Sequence, residues 1–264
     1  MGRAIGIVSL KGGVGKTTTV ASLGAALADF GKKVLLIDGN LSSPNLGLHL
    51  NIINPERTLH HVLDRTANTS DAIYEYEGID VMPSSIFERI EVNPLKLKDR
   101  IKGLKRTYDI IILDSSPSLN AETLGVMLAS DEIFVVTTPD HATLSTTLKA
   151  IKLAKNRGTP ISGVIINKSH GKNFEINLSD IEDTLEIPVL AVIPYDKNIL
   201  KALSKMQPFT MHKPNSDGSV EIKKLASILA GQKYEQVRLK DILRKIKPKK
   251  QDLNREIFYE SVFK

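Results

Sequence analysis

The 264-residue chain contains no cysteine, which excludes disulfides, zinc–thiolate centres and cysteine-ligated iron–sulfur clusters. No apolar run approaches the roughly 18 residues that a membrane span requires. The apolar stretch after Arg3 stops at Lys11, too short for the core of a signal peptide, so an intracellular, cytoplasmic protein is expected. The histidines show no metal-ligand spacing. His60 and His61 are adjacent, so on a helix they diverge by about 100°, and a surface or half-buried setting without a ligand is expected. No Ser/His/Asp arrangement and no separate pair of catalytic carboxylates stands out. What remains is ordinary globular composition, 41% apolar and 25% charged. The length suits one or two domains, including a single α/β domain with an appendage.

The net charge of +6 is unevenly placed. Residues 1–231 hold 26 Lys/Arg against 25 Asp/Glu, whereas residues 232–264 hold ten against five. A near-neutral body with a basic tail points to an anionic partner for the tail alone.

Along residues 1–231, short apolar runs alternate with helical patterns. Strands are expected at Ala4–Ser9, Lys33–Ile37, Ile79–Met82, Asp109–Leu113, Glu132–Thr137, Ser162–Ile166 and Val189–Ile193. Helices are expected at Lys16–Phe30, Leu95–Leu104, Ala142–Asn156, Leu178–Leu185 and Val220–Ala230, the last preceded by a turn cluster at His212–Ser219. Val34–Ile37 and Ile110–Leu113 are continuously apolar, as parallel strands covered on both faces require. The fold class is therefore α/β: a doubly wound, mostly parallel sheet of about seven or eight strands with helices on both faces. Ligands of such sheets bind beyond the carboxyl ends of the strands.

After the first strand comes Leu10-Lys11-Gly12-Gly13-Val14-Gly15-Lys16-Thr17-Thr18, opening an Ala/Leu-rich helix. Glycines let backbone N–H groups turn inward, and the helix start adds partial positive charge, so residues 12–18 form a phosphate cradle. Lys16 would reach the β- and γ-phosphates, and the Thr17 hydroxyl would ligate Mg²⁺. Position 10 is Leu rather than the glycine of the common P-loop, and a second lysine, Lys11, precedes Gly12. This K-G-G-x-G-K-T-T form resembles the MinD/ParA family of deviant Walker-A ATPases, and the likeness runs through residues 1–231. The resemblance implies an ATP-dependent homodimer in which Lys11 reaches across to the partner's phosphates.

Asp38-Gly39-Asn40 looks like the family's switch I, written D-x-D. Asp38 matches the aspartate that supports Mg²⁺. Asn40 departs from the family, whose second aspartate positions the attacking water; an amide can orient a water without accepting its proton. Asn40 also reads as a plain turn residue. Tyr108–Asp114 is a Walker-B pattern whose Asp114 would hold Mg²⁺ through a water, and Ser115–Leu119 resembles switch II. Asn167-Lys168-Ser169-His170 lacks the acid that a guanine-reading N-K-x-D motif carries, so adenine is favoured. The resemblance places Asn167 at the adenine and Pro194 in the base pocket.

In the tail, Leu239, Ile242, Leu243 and Ile246 form one helical stripe amid Arg238, Lys240, Arg244, Lys245, Lys247, Lys249 and Lys250. It resembles the membrane-targeting helix of MinD proteins, although some fourteen residues follow, among them Phe258, Tyr259 and Phe263. Three readings stay open: packing on its own domain, binding an anionic membrane surface, or nonspecific DNA binding. Two functions follow: an ATPase cycling as a positioning switch under an activating protein, or an ATP-binding adaptor with little turnover. Metal-cluster work, known among relatives, is excluded by the missing cysteines.

Overall fold

The computed structural model of the chain describes residues 2–87 and 90–234. The tail stripe from Leu239 to Ile246 and the aromatic residues after it lie outside the described residues.

Eight strands make one sheet: β1 Arg3–Val8, β2 Val34–Asp38, β3 Tyr74–Tyr76, β4 Ile79–Met82, β5 Ile110–Asp114, β6 Glu132–Thr137, β7 Ile161–Ser169 and β8 Val189–Pro194. Their order is β3-β4-β2-β5-β1-β6-β7-β8. All pairs are parallel except β3 with β4. The helices are α1 Lys16–Asp29, α2 Leu46–His49, α3 Leu59–Asp64, α4 Leu97–Ile101, α5 Ala121–Ala129, α6 His141–Asn156, α7 Leu178–Leu185, α8 Lys197–Ser204, α9 Phe209–His212 and α10 Asp217–Leu229. Among the described residues no helix is long and apolar enough to cross a membrane.

The continuous apolar runs divide by alternation between two faces. Val34 and Leu36, with Ile110 and Ile112, pack under α1 and α10. Leu35 and Ile37, with Ile111 and Leu113, pack against α3, α4 and α5. Helices α6 and α7 extend that second layer over β6, β7 and β8. Because both faces are apolar, alternation alone cannot fix the register. The polar ends do: Asp38 and Asp114 pair in register at the carboxyl edge of β2 and β5.

Three expectations need correction. β3 stands outside the expected strands; it is joined to β4 by Glu77 and Gly78, both at positive φ (47° and 78°), a two-residue hairpin turn. The turn cluster before the last helix is shorter, because α10 starts at Asp217, where the Ser216 side chain accepts from Ser219 N. His60 and His61 are both buried. His61 Nδ1 lies 3.0 Å from Thr58 Oγ1 in a capping box that starts α3, and His60 Nδ1 accepts from Ser85 N at 3.1 Å.

Candidate active site

The loop between β1 and α1 takes its shape from Gly13 and Gly15, at φ 75° and 91°. A Cβ on Gly15 would stand 2.1 Å from Asn167 Nδ2, whereas Cβ atoms on Gly12 and Gly13 would meet nothing within 4 Å. The loop is thus tight against the protein on one side and open on the other. Helix α1 has no side-chain cap and no acid in its first turn, which leaves its first N–H groups for an anion. From β7, Asn167 Nδ2 donates to Val14 O (2.7 Å) and Lys168 Nζ to Gly13 O (2.6 Å). Asn167 therefore shapes the loop, keeping one N–H and one oxygen lone pair for a ligand.

Beneath the loop, Asp38 and Asp114 are both fully buried. Lys16 Nζ sits 2.6 Å from Asp114 Oδ1 and also donates to Ser115 O. The Thr17 hydroxyl donates to Asp114 Oδ2 at 2.6 Å. Asp38 accepts from the backbone N–H groups of Asn40, Asn45 and Leu46 at 3.0–3.2 Å. Burial, then the charge of Asp114, push the Asp38 carboxyl up to about 7, against those hydrogen bonds and Lys16. Two adjacent buried carboxylates with a hydroxyl beside them form a donor set suited to a hard divalent cation.

In switch I, Asn40 is 4% exposed and donates from Nδ2 to Ser43 O at 2.5 Å; Asn45 Nδ2 donates to the same oxygen at 2.9 Å. That contact fixes the Asn40 amide, and its buried Oδ1 has no partner. Lys11 Nζ donates to Thr143 Oγ1 (2.5 Å) and lies 3.4 Å from Asp140 Oδ1. Burial raises the Asp140 carboxyl, but hydrogen bonds from Thr138, Thr143 and Lys11 outweigh it and hold the group well below the ordinary carboxylate range.

One cavity of about 340 Å³ is lined by Lys11–Thr18, Asn40, Asn167 and Pro194, so the expected loop, switch I and base-side residues converge. Asp38 and Asp114 underlie it through Lys16 and Thr17. Asp196, which follows Pro194, caps α8 by accepting from Asn198 N and Nδ2 at 2.8 and 2.7 Å. His170 stacks on Tyr195 with ring centroids 4.9 Å apart. Sequence reasoning missed Asp140 and Thr143, although Thr138-Pro139-Asp140 directly follows β6 and a carboxyl strand end was the place to look. It also missed Asn45, His49 and the grip of Lys168.

A family model described as an AAA domain matches residues 2–161, and a ParA model described as the NUBPL iron-transfer P-loop NTPase matches residues 104–230. An uncharacterised ATP-binding protein of Methanocaldococcus jannaschii is 37% identical over 240 residues, 89% of this chain and 90% of that one. The crystal structure of the cell division ATPase MinD of Pyrococcus furiosus superposes with TM-score 0.82 at 39% identity, over 86% of this chain and 98% of that chain. The septum site-determining protein MinD of Pyrococcus horikoshii, complexed with Mg-ADP, gives TM-score 0.82 at 37% identity, over 86% and 95%. With that likeness spread over the sheet and over the loop Lys11–Thr18, the chain belongs to the MinD/ParA family of P-loop ATPases.

Proposed function

We propose that the chain is an ATP- and Mg²⁺-binding homodimeric switch that hydrolyses ATP slowly and, in its ATP state, holds an anionic membrane surface. The observation that carries the reading is the single cavity shared by Lys11, the loop before α1 and Asn40. The donor set fits the ligands. The loop opens where Cβ atoms would meet nothing, and Asn40, with an orphaned amide oxygen, lines the same cavity. Lys16 and the first N–H groups of α1 would hold the phosphates; Thr17, Asp38 and Asp114 would hold Mg²⁺. The cation would supply charge neutralisation at the phosphates. Asp196 is engaged by Asn198, and His170 stands where a guanine-reading acid would be, which supports adenine.

In this reading Lys11 gives up its contacts with Thr143 and Asp140 to serve a second subunit. Its pair with Asp140 is solvent-exposed, 42% and 47%, and such pairs contribute at most about 1 kcal/mol. Lys11→Ala is expected to bind ATP with near-normal affinity through Lys16 yet stay monomeric. Light scattering that shows ATP-dependent dimers in this variant refutes the role.

Hydrolysis is slow in this reading because Asn40 offers the attacking water an acceptor but no base. With one Nδ2 hydrogen tied to Ser43 O, the unpartnered Oδ1 is the acceptor left for such a water. Positioning alone still supports phosphoryl transfer, and an activating protein would complete the site.

The described chain ends beside Phe30, whose carbonyl accepts from Gln232 Nε2 at 2.9 Å. That is the far end of α1 from the loop, about 20 Å away at 1.5 Å per residue. Gln232 is thus remote from the loop, and in this reading the nucleotide acts on the basic segment 238–264 by pairing two subunits. Four aliphatic side chains and seven cations bind a surface marginally; two such tails in one dimer gain effective concentration. Removing residues 238–264 should abolish ATP-dependent co-sedimentation with anionic liposomes and spare ATP binding. Unchanged sedimentation excludes the tail as anchor, and retention on DNA instead favours a ParA-like partition role.

A further inference from the structure

We infer that His49 belongs to the nucleotide–metal site, where its imidazole hydrogen-bonds the Mg²⁺–nucleotide assembly from the switch I side. The inference rests on the ATP reading above and adds a residue to it. Helix α2 is one turn long, and its spacing sorts its side chains. Asn45 and His49, four apart, both line the cavity, whereas Leu46 and Leu50, also four apart, are buried in the core. The turn is anchored at its start, because Asn45 N and Leu46 N donate to Asp38 Oδ2 and His49 N donates to Asn45 O at 3.2 Å. His49 is therefore held to the same carboxylate that supports the cation.

The side chain lines the same cavity as Lys16 and Thr17. Burial holds its imidazole below the ordinary value, so it is neutral at pH 7. A neutral ring has one N–H for a phosphate oxygen and one lone pair for a metal-bound water. Its Nδ1 is buried and has no hydrogen-bond partner. A stranded nitrogen opposes folding, and leucine would fill the same space without that penalty. Asn40, whose Oδ1 is the other orphaned atom on switch I, lines the same cavity. Two residues with polar atoms that the fold does not use thus share the cavity with Lys16 and Thr17.

The test compares the full-length chain with His49→Leu and His49→Gln. Melting temperature is read without nucleotide, and affinity for Mg-ATP by titration calorimetry. His49→Leu should melt at the same or a higher temperature while losing about tenfold or more in affinity, the loss expected for one hydrogen bond to a charged group. His49→Gln, which keeps a donor and an acceptor, should stay within about threefold of wild type. A purely structural histidine would move both readouts together. Equal affinity in wild type and His49→Leu overturns this inference alone; a wild type that binds no Mg-ATP overturns the ATP reading and this inference with it. If His49→Leu does not fold, imidazole NMR of wild type decides. The His49 signal, identified by its absence in His49→Gln, should shift when Mg-ADP is added, and an unmoved signal overturns the inference.

Discussion

Lys16→Met is expected to lose Mg-ATP binding by more than about 100-fold and also to destabilise the nucleotide-free protein by about 3–5 kcal/mol. The second loss is the less obvious one. Lys16 and Asp114 form a buried pair 2.6 Å apart, and Asp38 lies in register on the next strand. Removing the ammonium leaves the Asp114 carboxylate buried beside Asp38, with only the Thr17 hydroxyl for compensation. For a domain stable by about 5–15 kcal/mol the change is large. Adding Asp114→Asn should restore much of the stability but none of the nucleotide binding, because the two substitutions act on one interaction. Urea unfolding reads the first effect and calorimetry the second. A fully stable Lys16→Met protein contradicts the buried-pair account.

Stability should fall as pH rises from about 4 to 7, opposite to the behaviour of ordinary carboxylates. Asp38 is pushed up to about 7 by burial and by Asp114, so in this window the folded state holds a proton that the unfolded state has released. Its contribution is fully present below its ordinary value of 3.8 and is lost as pH rises through about 7. The size is on the order of 2–4 kcal/mol. His49, held low by burial, works in the other direction just below its ordinary 6.5 and trims the fall. Asp140 and Asp131, both held low, weaken the fold only on further acidification. Saturating Mg-ATP should flatten the decline, since a cation takes the place of the proton. Urea midpoints between pH 4.5 and 8, with and without Mg-ATP, read this; a flat nucleotide-free profile rejects it.

How much of this was legible in the sequence differs by element, for physical reasons. The sheet strands at Val34 and Ile110 announce themselves because burial on both faces leaves no polar interruption until the terminal aspartates. The loop Lys11–Thr18 is legible because its glycines answer a backbone need that few other sequences have. The hairpin at Tyr74–Met82 is hidden because its turn is Glu-Gly rather than Asn-Gly or Asp-Gly, with a non-glycine residue at φ 47°. The start of α10 is hidden because Ser216, Asp217 and Gly218 serve equally as turn and as helix cap. The contact between Lys11 and Asp140 joins residues 129 apart, and no local pattern reports it. His49 shows no motif at all. Its placement follows only from the one turn of α2 that Asp38 fastens.

The lifetime of the ATP-bound dimer tests the central claim most directly. Full-length protein would be mixed with Mg-ATP, freed of excess nucleotide and followed by light scattering, beside Asn40→Asp. In that variant the Asn45 amide still donates to Ser43 O, so switch I keeps one of its two ties. The expected result is a dimer with ATP but not with ADP, long-lived in the native chain and decaying at least about tenfold faster with phosphate release in Asn40→Asp, as a restored base would allow. A chain that stays monomeric in ATP, or dimers that decay at the same rate with Asn or Asp at position 40, would contradict it.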